Sequence, residues 1–225
     1  MIKAVIFDMY ETLITLYESP PYFGAQMAID AGIPVDKFQA VWRASEYNRT
    51  IGKKSLEEVI EQILIENDCY SVELLEFIVH KRIKSKEECF NHLHKEIIPL
   101  LSALKANDIL VGLISNCFSE EAKAIRESVL FSYFDVACLS YEEGLQKPDV
   151  RIFDRCMLKL KVEAKDCLYV GDGGSQELET ARKLGMKAVQ AVWYLKEGTA
   201  QPSGRKTDFE QIETPMEIIN KYVCV

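Results

Sequence analysis

Two hydrophobic rhythms alternate along the second half of the chain. "ILVGLIS" (109–115), "FDVACLS" (134–140), "CLYVGD" (167–172) and "KAVQAVW" (187–193) are short, almost wholly apolar runs. Between them, "EEAKAIRESV", "DVRIFDRCMLKLK" and "QELETARKLG" carry apolar residues at three- and four-residue spacing. The first pattern predicts buried strands and the second amphipathic helices. "IKAVIF" (2–7) is a further strand candidate, and "IIPLLSALKAND", with proline in its first turn, a further helix. Strands apolar on both faces and separated by helices predict a doubly wound parallel α/β sheet covered on both sides.

Residues 19 to 95 follow a different rule. "FGAQMAIDAG", "DKFQAVWRASEYNR", "SLEEVIEQILIEND" and "SVELLEFIVHKRIK" all show helical spacing, and none of them reads as a strand. In the third, Leu56, Val59, Ile60, Ile63 and Leu64 share one face, with Ser55 and Glu58 placed as a capping box. Four helices are thus expected as an insertion after the first strand. The expected division is an α/β core of residues 1–14 and 91–225 and a helical unit of residues 15–90. "EGTAQPSGRKTD" (197–208) reads as an exposed loop and "ETPMEIINKY" as a closing helix.

Composition narrows the picture. The chain has 225 residues, 48% of them apolar and 28% charged, as in an ordinary globular protein. A net charge of -8 without a basic stripe argues against a nucleic-acid partner. The apolar runs fall short of the roughly 18 residues of a membrane span, and the N-terminus lacks a secretory pattern. Seven scattered cysteines without a C-x-x-C pair fit reduced thiols in a cytoplasm.

In sheets of this kind, ligands bind beyond the carboxyl ends of the strands. There the sequence places Asp8, then Ser115 and Asn116, and then "GDGGSQE" with Asp172 and Glu177; Lys147 in "GLQKPDVRIF" precedes the helix leading to that last strand. Each alone is ordinary: an aspartate after a strand often caps the next helix. Together, two carboxylates, a lysine and a hydroxyl or amide at neighbouring strand ends suit a phosphate and Mg²⁺.

"AVIFDMYETL", "VGLISN", "KPDVRIF" and "YVGDGGSQELETARKLGM", in this order and spacing, resemble the motifs of the haloacid dehalogenase superfamily of hydrolases, over nearly the whole chain. The resemblance implies a Rossmann-like core with a helical cap inserted after its first strand. It implies that Asp8 is a nucleophile forming an aspartyl-phosphate, with Thr12 nearby. Asp8, Asp172 and the Tyr10 carbonyl would hold Mg²⁺, Ser115 and Asn116 would meet the phosphoryl group, and Lys147 would orient Asp8. The expected substrate is a small phosphorylated metabolite.

One position departs from the pattern. The superfamily's phosphatases usually carry an acid two residues after the nucleophile, and here that residue is Tyr10. A phenol with a pKa near 10 is a poor proton donor at neutral pH. Tyrosine at this place resembles the 2-haloacid dehalogenases of the same superfamily, and Arg43 in "VWRASEY" resembles their cap arginine. "GDGGSQE" points back to Mg²⁺, because a free Asp172 would repel a carboxylate substrate. Three expectations stand: a phosphatase, a dehalogenase-like hydrolase, or a weakly catalytic phosphate-binding relative. Arg49 and Lys53 read either as anion contacts or as surface charges.

Overall fold

The structure, a computed structural model, describes residues 1–196 and 203–223. Six parallel strands form one sheet: β1 (Ala4–Phe7), β2 (Leu110–Ser115), β3 (Val136–Leu139), β4 (Cys167–Gly171), β5 (Lys187–Ala191) and β6 (Glu210–Ile212). Their order is β3-β2-β1-β4-β5-β6, so the chain winds outward from β1 in both directions. Phe7 of β1 stands opposite Leu113 of β2 and Val170 of β4. The residues that follow these strands therefore leave from one edge, at the point where the winding reverses.

The strands are apolar throughout because both faces are covered. Leu100, Leu101 and Leu104 of α6 (Ile97–Ala106) and Ile125 of α7 (Ser119–Glu127) pack with Val5, Phe7 and Val111. Ile152, Phe153 and Cys156 of α9 (Val150–Leu160) and Leu178 of α10 (Glu177–Lys183) pack with Ile6, Ile114 and Tyr169. A short helix, α8 (Ser140–Glu143), follows β3.

Between β1 and β2 run α1 (Gly24–Ala31), α2 (Val35–Ala44), α3 (Glu46–Thr50), α4 (Leu56–Glu66) and α5 (Val72–Glu88). They gather around a cluster of their own, with Met27, Phe38, Trp42, Leu56, Ile60, Ile63 and Ile78 at its centre. The Ser55 hydroxyl accepts from the Glu58 N–H at 3.2 Å and the Glu58 carboxylate accepts from the Ser55 N–H at 2.7 Å, the expected capping box.

Several elements differ from expectation. The helix predicted over residues 36–49 breaks into α2 and α3 at Ser45, whose hydroxyl donates to the Trp42 carbonyl at 2.8 Å. Serine hydroxyls that bond back to the preceding turn bend helices. β6 lies inside a polar stretch without a strand pattern. Of the closing helix expected over 213–222, residues 217 onward are helical, continuing as a π turn over Ile219–Val223; Thr214 to Met216 make a turn, with the Glu217 carboxylate accepting from the Thr214 N–H at 3.0 Å. Residues 203–208 of the expected loop carry neither helix nor strand; residues 197–202 and Cys224 lie outside the described residues. Among the described residues, no helix is long and apolar enough to cross a membrane.

Candidate active site

Asp8 follows β1, and its N–H donates to the Val170 carbonyl of β4 at 2.9 Å. Asp172 follows β4, and Glu177 opens α10. One carboxylate oxygen from each of Asp8, Asp172 and Glu177 lies within 4.8 Å of the other two. Lys147 reaches them from the loop between α8 and α9. Its ammonium donates to Asp8 Oδ1 at 2.5 Å and to Glu177 Oε2, and is itself only 3% exposed.

The surroundings fix these groups one by one. The Tyr169 hydroxyl donates to Glu177 Oε2 at 3.1 Å, and the Gly173 N–H donates to Glu177 Oε1 at 3.2 Å. A Cβ on Gly171 would stand 2.1 Å from that same oxygen, which is why the residue before Asp172 has no side chain. The Gly174 N–H donates to Asp172 Oδ1 at 2.8 Å, and Gln190 donates to the Asp172 carbonyl at 2.8 Å. Trp193 Nε1 donates to the Thr12 carbonyl at 2.8 Å, and the Tyr194 hydroxyl to the Leu13 carbonyl at 3.3 Å, pinning the loop after Asp8.

Crowding of like charges shows in the acidities. Burial raises the Asp8 carboxyl above its usual range; Lys147 works against this and Asp172 adds to it. Glu177 is pushed up to about 8, by burial first and then by Asp8. Burial alone would lower the Lys147 ammonium, but Asp8 and Glu177 outweigh it and hold it above its ordinary value. One ammonium thus faces three carboxylates. The donors are hard oxygens converging on one point, a set that fits a divalent cation of the Mg²⁺ or Ca²⁺ kind.

The other residues singled out in the sequence take varied places. Thr12 is buried, with its hydroxyl 3.5 Å from Asp8 Oδ2. Ser115 is fully buried and its hydroxyl turns to the Asn116 carbonyl at 3.4 Å, whereas Asn116 itself lines the cavity over Asp8. The Asn116 amide also grips the backbone of Lys147, accepting from its N–H at 2.8 Å and donating to its carbonyl at 3.1 Å. The Tyr10 hydroxyl is buried and has no hydrogen-bond partner among the described residues. Burial, and then the charge of Glu121, push this phenol well above its ordinary pKa. Arg43 is exposed and is not brought to the carboxylates; it lines an outer cleft of about 600 Å³ that adjoins the inner cavity of about 180 Å³ through Asn116, Lys147 and Ser175. Arg49 is 1% exposed and is no surface charge. Tyr169 and Trp193 escaped sequence reasoning. The usable signal was a hydroxyl inside the apolar run "CLYVGD", since a buried tyrosine needs a polar partner.

A carboxylate at the end of one central strand, a second at the end of its neighbour and a lysine shared between two acids define a hydrolase site on a doubly wound sheet. The haloacid dehalogenase-like hydrolase model matches residues 2–185, and the chain belongs to that family. Glyceraldehyde 3-phosphate phosphatase of Methanocaldococcus jannaschii is 25% identical over 203 residues, covering 85% of this chain and 86% of its own. Two solved structures share the fold. The 2-haloacid dehalogenase of Pseudomonas syringae pv. Tomato has a TM-score of 0.69 at 22% identity, covering 98% of this chain and 97% of its own. A HAD phosphatase of Thermococcus onnurineus has a TM-score of 0.64 at 20% identity, covering 97% of each chain.

Proposed function

We propose that this hydrolase is an Mg²⁺-dependent phosphatase acting on a small phosphorylated metabolite in a reducing cytoplasm, with Asp8 as nucleophile. The observation that carries the reading is the convergence of Asp8, Asp172 and Glu177 around a single lysine. Asp8, Asp172 and the Tyr10 carbonyl would hold the metal, which when bound supplies Lewis-acid polarisation of the phosphoryl oxygens.

The chain's own groups do the rest. Lys147 keeps Asp8 ionised and aims one of its oxygens, leaving the other to attack phosphorus. The P–O bond to the leaving group breaks as the Asp8–phosphorus bond forms, and water then hydrolyses the aspartyl-phosphate. Asn116 holds Lys147 in place and faces the transferred group, with the buried Ser115 hydroxyl behind it on the Asn116 carbonyl. Helices α1–α5 act as a cap: Thr50 and Tyr47 line one side of the outer cleft, and Asn116 and Pro148 line the other. Closing that cleft excludes water from the acyl phosphate. Tyr10, with its pKa driven upward, does not protonate the leaving oxygen, so esters of good leaving groups react best. A dehalogenase reading is weaker, because Asp172 would face an incoming carboxylate at close range.

The test is phosphate release from nitrophenyl phosphate and from a panel of metabolite esters, with Mg²⁺ and with EDTA, beside halide release from a 2-haloacid. Metal-dependent phosphate release that Asp8→Asn lowers by on the order of 10⁴-fold or more is expected. Halide release without phosphate release would reject the reading.

A further inference from the structure

A second group of buried charges lies where the inserted helices meet α7. Arg82 and Lys86 of α5 face Glu120 and Glu121 of α7: Arg82 Nε to Glu120 at 3.0 Å, Arg82 Nη2 to Glu121 at 3.3 Å, and Lys86 Nζ to Glu121 at 2.8 Å. Arg49 of α3 completes the row. Its guanidinium carbon lies over two rings set at 71° to each other, 3.5 Å from the Trp42 centroid and 3.9 Å from the Phe118 centroid. Nε donates to the Ser45 hydroxyl at 3.0 Å and Nη2 to the Trp42 carbonyl at 3.1 Å, but Nη1 is buried and has no hydrogen-bond partner among the described residues.

Three buried cations therefore face two buried carboxylates. Glu46, whose charge also reaches Arg49, is exposed. Burial depresses the Arg49 guanidinium to about 10, against the pull of Glu120. An unpaired donor on a buried, uncompensated charge is costly, and native structures carry few such groups without a use. Phe118 connects this row to the reaction site: its half-buried ring stacks on Arg49 from one side and lines the outer cleft from the other, together with Thr50 and Glu121. Arg49 is thus one side chain deep in the wall of the cleft that opens onto Asn116 and Lys147.

We propose that Arg49 recognises a carboxylate on the leaving-group side of the substrate, reached when the Phe118 ring swings aside. Resting on the phosphatase reading, this narrows the substrate class to phosphate esters that also carry a carboxylate. A carboxylate matches the guanidinium edge in shape, and its single charge balances the single surplus cation, which a second phosphoryl dianion would exceed.

The experiment compares a three-carbon ester bearing phosphate at one end and carboxylate at the other with the same ester as its carboxamide. Wild type is expected to favour the carboxylate by about 10- to 100-fold in kcat/KM, chiefly through KM, as loss of a charged hydrogen bond implies. Arg49→Met should bring that ratio to about one, and Arg49→Lys should keep part of it. A readout independent of turnover uses Trp42, left as the sole tryptophan by Trp193→Phe. Its emission should respond to the carboxylate ester with Asp8 replaced by asparagine, and not to the carboxamide. This titration also decides the matter if Arg49→Met does not fold. Equal rates on both esters by an enzyme that cleaves nitrophenyl phosphate would overturn the proposal while leaving the phosphatase reading intact. A Trp42 response to carboxylate in a protein that hydrolyses no phosphate would keep the anion site and remove the phosphatase.

Discussion

Two largely buried charge groups among the described residues are opposite in balance. At the ends of β1 and β4, three carboxylates gather beside Lys147, which pairs with two of them; where α3 and α5 meet α7, three cations gather beside Glu120 and Glu121, which pair with Arg82 and Lys86. Their acidities differ accordingly. Glu177, in the first group, is pushed up to about 8. Glu121, in the second, is equally buried, yet Lys86 and Arg82 overcome that burial and hold it below the usual carboxylate range. Burial therefore does not decide the state of an acid; the company it keeps does. A surplus of negative charge calls for a metal and a surplus of positive charge for an anion. One cleft is lined by members of both groups, Lys147 and Glu121.

Moving charge between the groups is the strongest way to disturb the contrast. Tyr10 stands between them, lining the Asp8 cavity while its ring lies 5.7 Å from the Lys86 ammonium. Tyr10→Asp puts an acid where proton transfer lacks one and where a cation can hold it. Alkyl phosphate turnover should rise by up to about 10²–10⁴-fold, with a smaller gain on aryl esters, whose leaving groups need no proton. Steady-state rates on one ester of each kind measure it. Equal gains on both would mean that Tyr10 acts through packing and not through missing acid–base chemistry.

A second disturbance removes one cation from each group. Lys147→Met strands Asp8 and Glu177 together and should cost about 3–5 kcal/mol in metal-free protein. Lys86→Met leaves two cations facing two carboxylates and should cost less, about 1–3 kcal/mol. Urea unfolding in EDTA gives both values. A larger loss for Lys86→Met would show that the seam has no surplus of positive charge.

The mildest probe is pH. Glu177 titrates higher folded than unfolded, so the stability it brings is complete below about 4.5 and is lost as pH rises toward about 8. Glu121 has the opposite sign: its contribution is present above about 4.5 and is lost as pH falls through its lowered folded value. In EDTA, the melting temperature of Glu177→Gln should therefore fall less between pH 5 and 8 than that of the wild type, and that of Glu121→Gln should fall less below pH 4.5. Identical profiles for all three proteins would mean that neither acid departs from its unfolded behaviour.

The two groups were also unequally legible in the sequence. Asp8, Asp172 and Lys147 stand at the ends or entrances of elements whose apolar rhythm is plain, so the parallel sheet that assembles them could be read directly. Arg49, Arg82 and Lys86 lie on amphipathic helices, where a charge at helical spacing reads as a solvated face. What buries them is the docking of α5 on α7, a contact between segments far apart in the chain that no local pattern encodes. The break at Ser45 was hidden for a similar reason: apolar spacing continues through it, and only a side-chain hydroxyl marks the turn. β6 has three residues at the sheet's edge, too few for any rhythm to show.

The grip of Trp193 and Tyr194 on the carbonyls of Thr12 and Leu13 has a consequence in time. During synthesis β1 leaves the ribosome before either strand that will flank it, and its partner β4 follows some 160 residues later. Asp8 is thus made early but cannot be set in its working position until the chain has grown past Tyr194. Until β2 and β4 have followed it, β1 is an apolar strand with two open edges, a natural target for chaperones. A nascent chain halted before residue 193 would carry Asp8, Asp172, Glu177 and Lys147, yet would lack the two side chains that hold the loop after Asp8 in register.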